Sequence, residues 1–123
     1  MFIRRFYIAA LLSMTYSSPV AWGEDLFHDQ VAPIFSRHCL NCHNSRDRKG
    51  ELALDTAAGI RRGGDRGPVI DPGEVDSSYL VELITPIDGK AAMPKDGQPL
   101  SVDEIVLIRR WIEEGAWART WAR

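Results

Sequence analysis

Apolar residues recur at helical spacing in several stretches of the chain, and these stretches predict an all-α fold. The first stretch runs from Asp25 to His38 and leads directly into a pair of cysteines. Pro33 lies inside it, so we expect the helix to kink or to restart there. The apolar positions of this stretch are Leu26, Phe27, Val31, Ile34 and Phe35.

Capping residues place two short helices in the middle of the chain. The first follows Asp55 or Thr56, either of which can cap it, and Gly63 with Gly64 can end it. The second covers residues 79–84, with Ser77 or Ser78 as a possible cap and Pro86 as its end. Between these two helices, residues 67–73 are rich in glycine and proline and predict an extended connector.

The longest helix is predicted near the C-terminus. Ser101 and Glu104 have the spacing of a capping box, in which each side chain satisfies a free amide at the start of a helix. Gly115 can end this helix. The apolar positions along it are Ile105, Ile108, Trp111 and Ile112. We therefore expect about four short helices in all.

The N-terminus has the order of features that defines a secretory signal peptide. Arg4 and Arg5 precede an apolar run over residues 6–14, and the small residues Ala21 and Gly23 follow. The apolar run is shorter than the roughly 20 residues of a membrane span. We expect cleavage after Gly23, so that residues 1–23 are the signal peptide, residues 24–123 form one domain, and no integral membrane segment remains.

Charge restricts the partners of this domain. The formal net charge is −2 at pH 7, and loss of Arg4 and Arg5 with the signal peptide makes it −4. A net negative domain is a poor ligand for phosphate backbones, which argues against a nucleic-acid partner. Because of the predicted signal peptide, we expect a periplasmic or otherwise extracytoplasmic protein.

The segment Cys39-Leu40-Asn41-Cys42-His43 is the attachment signature of a c-type haem. Residues i and i+3 share a face of one helical turn, so both thiols can reach the two vinyl groups of one porphyrin. His43 follows at i+4 from Cys39, where its imidazole can bind the iron. The motif therefore predicts one covalently attached haem c per chain, held by Cys39 and Cys42, with His43 as an axial ligand.

The two cysteines are open to three other interpretations. A redox-active C-x-x-C usually follows a strand in a βαβ unit, and no such pattern precedes Cys39. A structural zinc site needs four ligands, and only His28 and His38 could assist His43 and the two thiols. A disulfide between Cys39 and Cys42 would close a very small loop and leave His43 unexplained.

Met93 is the predicted second axial ligand. It is the only methionine outside the predicted signal peptide, and it lies in a polar loop directly before Pro94. A thioether is a suitable haem ligand, and a Met/His pair raises the reduction potential. We expect His28 and His38 at the surface or at a helix cap rather than on the iron.

Two further contacts with the haem are predicted. The Pro68 carbonyl is a candidate acceptor for the Nδ1 proton of His43, a bond that would orient the imidazole. Trp111 is expected in the core and also at the edge of the porphyrin. The loop 44–50 that leaves the motif is polar and basic. Arg61, Arg62 and Arg66 are either a solvated face or a group of which some neutralise haem propionates or dock an acidic partner.

Taken together, the pattern resembles small monohaem c-type cytochromes and, more narrowly, the planctomycete-type cytochrome c domain. The residues that carry the resemblance are Val31 to Phe35, Cys39 to His43, Leu52 to Leu54, Gly63-Gly64, Gly67-Pro68, Pro72-Gly73, Ser78, Leu80, Met93-Pro94, and Leu100 to Ala116. The resemblance implies that a helix before the motif packs against the C-terminal helix. It also implies Met93 as distal ligand and places Pro68 against the proximal histidine.

The resemblance implies an extracytoplasmic electron carrier that exchanges one electron at a time with redox partner proteins. With both axial positions filled, no open site remains for a substrate, so an enzyme is not expected. Two alternatives stay open. One is a haem-based sensor or peroxidase-like protein with an open distal site, and the other is a non-catalytic haem subunit of a separate dehydrogenase.

Overall fold

The computed structural model describes residues 26–118, and within them the fold is helical, which confirms the expected all-α class. The predicted signal peptide and the end of the chain with Trp121 lie outside the described residues. The elements in order are a π-helical segment Phe27–Val31, α1 (Ala32–His38), a 3-10 turn Lys49–Glu51, α2 (Ala57–Arg62), α3 (Tyr79–Ile84), α4 (Val102–Glu113) and a 3-10 turn Ala116–Ala118.

The restart expected at Pro33 is present. The chain runs as a π-helix over Phe27–Val31 and changes to α-helix at Ala32, so that Pro33 lies in the first turn of α1. Proline lacks an N–H and is tolerated in the first turn of a helix, where that donor has no partner. The proline therefore fixes the point at which the wider π-helix gives way to α1.

The N-terminal helical segment packs against α4, as the resemblance implies. Trp111 of α4 is buried, with its ring centroid 5.1 Å from that of Phe27 and 6.0 Å from that of Phe35. The Trp117 ring centroid lies 6.4 Å from that of Trp111. Each such aromatic pair stabilises the fold by roughly 0.5–1.5 kcal/mol beyond the burial of its area, so this cluster fixes α1 in place.

Two helices are capped by residues that the sequence predicts as caps. The Thr56 hydroxyl accepts a hydrogen bond from the Gly59 N–H (3.0 Å) at the start of α2. At the start of α4 the Ser101 hydroxyl accepts one from the Glu104 N–H (3.2 Å). The Glu104 carboxylate accepts from the same hydroxyl (3.3 Å) rather than from the Ser101 N–H, so only half of the predicted capping box is formed.

Ser78 has a different role from the cap that the sequence suggests. It occupies the N-cap position of α3, but no bond to the first turn of the helix is present. Its buried hydroxyl instead donates to the Glu74 carbonyl (2.8 Å) and accepts from the Asp71 N–H (2.9 Å). Ser78 thereby ties the connector 71–74 to α3.

Gly63 ends α2 in a conformation that only glycine adopts readily. Its φ is +74°, and a Cβ built there would collide with the Gly67 carbonyl and lie 2.7 Å from the Pro68 Cα. Gly67 also has a positive φ, +97°, but a Cβ there would meet nothing within 4 Å. Both glycines therefore have a positive φ, but only at Gly63 is there too little space for a Cβ.

We predict that Gly63→Ala destabilises the haem-loaded protein by about 1–3 kcal/mol more than Gly67→Ala, because only the first change adds an overpacking clash to the strain of a left-handed residue. Urea unfolding followed by circular dichroism measures both free energies. Equal losses in the two variants would contradict the close approach at Gly63.

Candidate functional site

One cavity of about 540 Å³ brings together the predicted haem-binding residues of the motif and Met93. Its volume lies within the range of roughly 300–1,000 Å³ that is usual for ligand pockets. Cys39, Cys42, His43 and Met93 all line it. The apolar part of the wall consists of Leu52, Leu54, Val69, Leu80, Leu83, Ile84 and Leu100.

The motif forms a tight turn directly after α1. The Cys39 and Leu40 N–H groups both donate to the Phe35 carbonyl, at 2.8 and 3.0 Å. The Cys42 and His43 N–H groups both donate to the Cys39 carbonyl, at 3.2 and 3.0 Å. The two thiols and the imidazole therefore belong to one continuous turn, as the spacing predicts.

The backbone and the ring of His43 are held separately. Its carbonyl accepts a hydrogen bond from the Leu54 N–H (2.9 Å), and its Nδ1 lies 2.8 Å from the Lys49 carbonyl oxygen. With the proton on Nδ1 donated to that carbonyl, Nε2 carries the lone pair that a metal bond requires. This is the usual arrangement of a metal-binding histidine.

The acceptor differs from the one that the sequence suggested. Pro68 is exposed and is not part of the cavity wall, and the carbonyl beside the His43 ring is that of Lys49. The reason is local, because the Lys49 N–H donates to the Cys42 carbonyl (3.0 Å) and brings the chain back against the motif. Any contact of Pro68 with haem stays a prediction.

Asn44 organises the loop that carries Lys49. Its side-chain oxygen accepts from the N–H groups of Arg46 and Asp47, both at 2.9 Å, and its Nδ2 donates to the Leu40 carbonyl (2.8 Å). An asparagine that bonds to backbone groups two and three residues ahead is a known turn former. We missed this role in the sequence, although an asparagine opening a polar loop was the signal for it.

Met93 is positioned by α3. Its N–H donates to the Leu83 carbonyl (2.9 Å), which holds the loop 93–97 against the helix, and its side chain is half-buried. Leu80, Leu83 and Ile84 of the same helix line the cavity beside it. A methionine remote in sequence from the motif therefore reaches the same cavity as His43.

The expectation for Trp111 is met only in part. It is in the core, as expected, but it does not line the cavity, because its indole contacts Phe27, Phe35 and Trp117 at the contact between the terminal helices. Contact of Trp111 with a porphyrin edge stays a prediction.

The two histidines that precede the motif have different positions. His28 is exposed and lies outside the cavity wall, whereas His38 lines the cavity. The Nε2 of His38 is 2.6 Å from a carboxylate oxygen of Glu104, although the pair does not have hydrogen-bond geometry, and a guanidinium nitrogen of Arg37 is 3.9 Å from the same oxygen. These contacts join the end of α1 to the start of α4, which periodicity alone did not reveal.

The environment of Cys39 does not suit a redox dithiol. Burial, with a smaller effect from the Glu104 carboxylate, raises the pKa of the Cys39 thiol to about 11. Redox-active C-x-x-C pairs instead have an attacking cysteine with a lowered pKa, often at a helix N-terminus, and Cys39 is at the C-terminal end of α1. No disulfide joins Cys39 and Cys42. No cluster of three or more His, Cys, Asp or Glu side chains suited to a metal ion occurs in residues 26–118, which gives the zinc interpretation no support.

Comparison with known proteins agrees with this geometry. Residues 39–97, a little under half of the chain, match the family described as Planctomycete cytochrome C. This stretch is a planctomycete-type cytochrome c domain. No curated protein and no solved structure gave a significant match. Cytochrome c domains in general carry covalently attached haem c and take part in electron transfer, so the match implies haem c and, in general terms, haem-based electron transfer.

The residues of this cytochrome c domain fit the haem that the family implies. The cavity offers two thiols for covalent attachment, an imidazole with its Nδ1 already bonded, and a thioether, with a largely aliphatic wall around them. An imidazole and a thioether are suitable ligands for haem iron, and aliphatic side chains can pack against a porphyrin. Between residues 26 and 118, no helix has the length and apolar character needed to cross a membrane.

We predict that Asn44→Ala destabilises the haem-loaded protein by about 1–2 kcal/mol, because it removes four hydrogen bonds, three of them to backbone groups, from the turn that holds Lys49 against His43. Asn41→Ala is the matched control, since the exposed Asn41 side chain makes no hydrogen bond, and it should change the stability by less than about 0.5 kcal/mol. Urea unfolding measures both. An Asn44→Ala variant as stable as the control would contradict the role of Asn44.

Proposed function

We propose that this protein is an extracytoplasmic electron carrier with one haem c, bound through Cys39 and Cys42 and ligated by His43 and Met93. The observation that supports the proposal most strongly is the convergence of these four residues on one apolar cavity. The motif and Met93 are far apart in the sequence, so it is the fold that brings them to the same cavity.

Each residue would have a distinct task. Cys39 and Cys42 would anchor the group, His43 would bind the iron through Nε2, and the Lys49 carbonyl would keep the imidazole in one orientation. When bound, the haem supplies the one-electron chemistry. The leucine-rich wall would keep water away and favour the less charged, reduced state, which together with a Met/His pair raises the potential.

A carrier is favoured over an enzyme because the half-buried Met93 side chain lies in the cavity wall, where it can close the second axial position. A sensor or peroxidase-like protein would need that position open to a small molecule. A permanently docked haem subunit would use the same internal site and would differ only in its partner.

The first experiment is the absorption spectrum of the oxidised protein, which shows a weak near-infrared band when a methionine sulfur binds ferric haem. We predict the band in the wild type and its loss in Met93→Ala, with a reduction potential lower by on the order of 100 mV, within the roughly 0.8 V that axial ligands span. Leu83→Ala removes a side chain of similar size from the same wall, and it should keep the band.

A wild-type protein without the band would contradict ligation by Met93. Binding of carbon monoxide to the reduced wild type would then favour the sensor or peroxidase-like alternative. A band that survives in Met93→Ala would also overturn the assignment.

Export is the second part of the proposal, and it rests on the order of charged, apolar and small residues at the N-terminus. We predict that the haem-loaded protein isolated from the periplasm begins at Glu24. Ala21→Arg should block cleavage because the small residue is removed, whereas Trp22→Ala should leave it unchanged. N-terminal sequencing checks this, and a haem-loaded protein that retains Arg4 and Arg5 would contradict it.

A further inference from the structure

The positive charge of this acidic protein is concentrated in one part of the fold. Residues 44–67, here named the basic lobe, contain six basic and four acidic side chains, whereas residues 68–118 contain four basic and ten acidic ones. The basic side chains of the lobe are all exposed, and they are Arg46, Arg48, Lys49, Arg61, Arg62 and Arg66.

Hydrogen bonds hold the basic lobe together as a surface unit. The Ser45 hydroxyl donates to Asp55 (2.8 Å), and the Asp65 N–H donates to the Gly50 carbonyl (2.9 Å). These contacts bring the loop after the haem motif against the segments directly before and after α2. Two of the four carboxylates are also engaged inside the lobe, Asp55 by Ser45 and Asp47 by the Asn44 amide (3.1 Å).

The two arginines of α4 are each paired with a carboxylate, and several cations of the lobe differ from them. Arg109 lies 3.4 Å from Asp76, and Arg110 lies 2.9 Å from Glu114. No ion pair within residues 26–118 involves Arg46, Lys49, Arg62 or Arg66. The Arg66 guanidinium donates instead to the neutral Tyr79 hydroxyl (3.2 Å), which leaves its charge uncompensated.

The basic lobe is also part of the cavity. Lys49, Gly50, Leu52 and Leu54 contribute to the cavity wall, and Lys49 and Gly50 are exposed. A partner that covers the lobe would therefore lie beside the site of electron exchange. Exposed cations next to a redox site raise the rate at which anionic partners associate.

We propose that the basic lobe is the docking surface for a redox partner protein that presents a cluster of carboxylates; this inference rests on the proposed electron-carrier function. The four carboxylates within the lobe favour a protein, whose surface is a mosaic of both charges, over a uniformly anionic membrane or nucleic acid. Charge complementarity on this surface would select and orient the partner.

The first test maps the surface without any electron transfer. Hexacyanochromate(III) is a redox-inert, paramagnetic trianion, and it broadens the amide NMR signals of the surface on which it collects. We predict that broadening in the haem-loaded protein is strongest at residues 45–51 and 61–67 and decreases with added salt. Broadening centred elsewhere, or absent from the lobe, would overturn the proposal.

The second test uses the sign of a salt effect. One electron passes from the reduced protein to hexacyanoferrate(III), which gives the oxidised protein and hexacyanoferrate(II). The net negative charge alone predicts repulsion, so that salt would raise this rate. The basic lobe predicts the opposite, a rate that falls about threefold or more as the Debye length decreases from about 30 Å to about 8 Å.

Variants distinguish the effect of the basic lobe from the effect of the net charge of the protein. The double variant Arg46→Glu, Arg62→Glu should slow the reaction with hexacyanoferrate(III) several-fold at low salt and remove the broadening. The control Lys90→Glu, Asp88→Lys changes exposed side chains outside the lobe and the cavity wall, and it should leave both unchanged, as should Lys90→Glu alone.

The outcomes distinguish this inference from the proposed function. A protein that holds haem but fails to exchange electrons with hexacyanoferrate(III) or with the cation hexaammineruthenium(III) would overturn the carrier function. A protein that reacts with both, but whose reaction with the anion is accelerated by salt, would overturn the docking surface alone.

Discussion

The structure depends on one geometric constraint, that two thiols and an imidazole must share a single turn. The Phe35 and Cys39 carbonyls each accept two backbone hydrogen bonds, and these four bonds form that turn. It keeps its place because α1 is fixed to α4 by aromatic contacts on Trp111 and by the Glu104 carboxylate next to His38. The remaining elements complete a cavity around it.

A short chain has a limited core, and a buried porphyrin adds apolar surface that the side chains alone would not provide. The leucines of the wall come from the basic lobe, from α3 and from the segment directly before α4, and each of these elements is short. Short helices are marginal in isolation and depend on tertiary packing. We therefore regard the haem as part of the fold, which couples stability to cofactor attachment.

Most of the local structure could be predicted because it depends on neighbours in the sequence. Thr56 and Ser101 cap the helices that their positions predicted, and Pro33 marks the change to α-helix. The rest of the structure depends on how the loops and helices pack against one another, which the sequence pattern does not show. The Lys49 carbonyl replaced that of Pro68 because the loop folds back on the motif, and Trp111 faces the N-terminal helix because the crossing of two helices sets its direction. Neither is visible in periodicity or spacing.

The central claim is that Cys39 and Cys42 bind the haem covalently. Thioether bonds survive denaturation, whereas a haem held only by axial ligands and packing does not. The most direct measurement is the intact mass of the isolated protein after unfolding in acid and organic solvent, for the wild type and for the double variant Cys39→Ser, Cys42→Ser. The account predicts a wild-type mass increased by one haem and a variant that retains none. A wild-type chain that loses its haem on unfolding would contradict it.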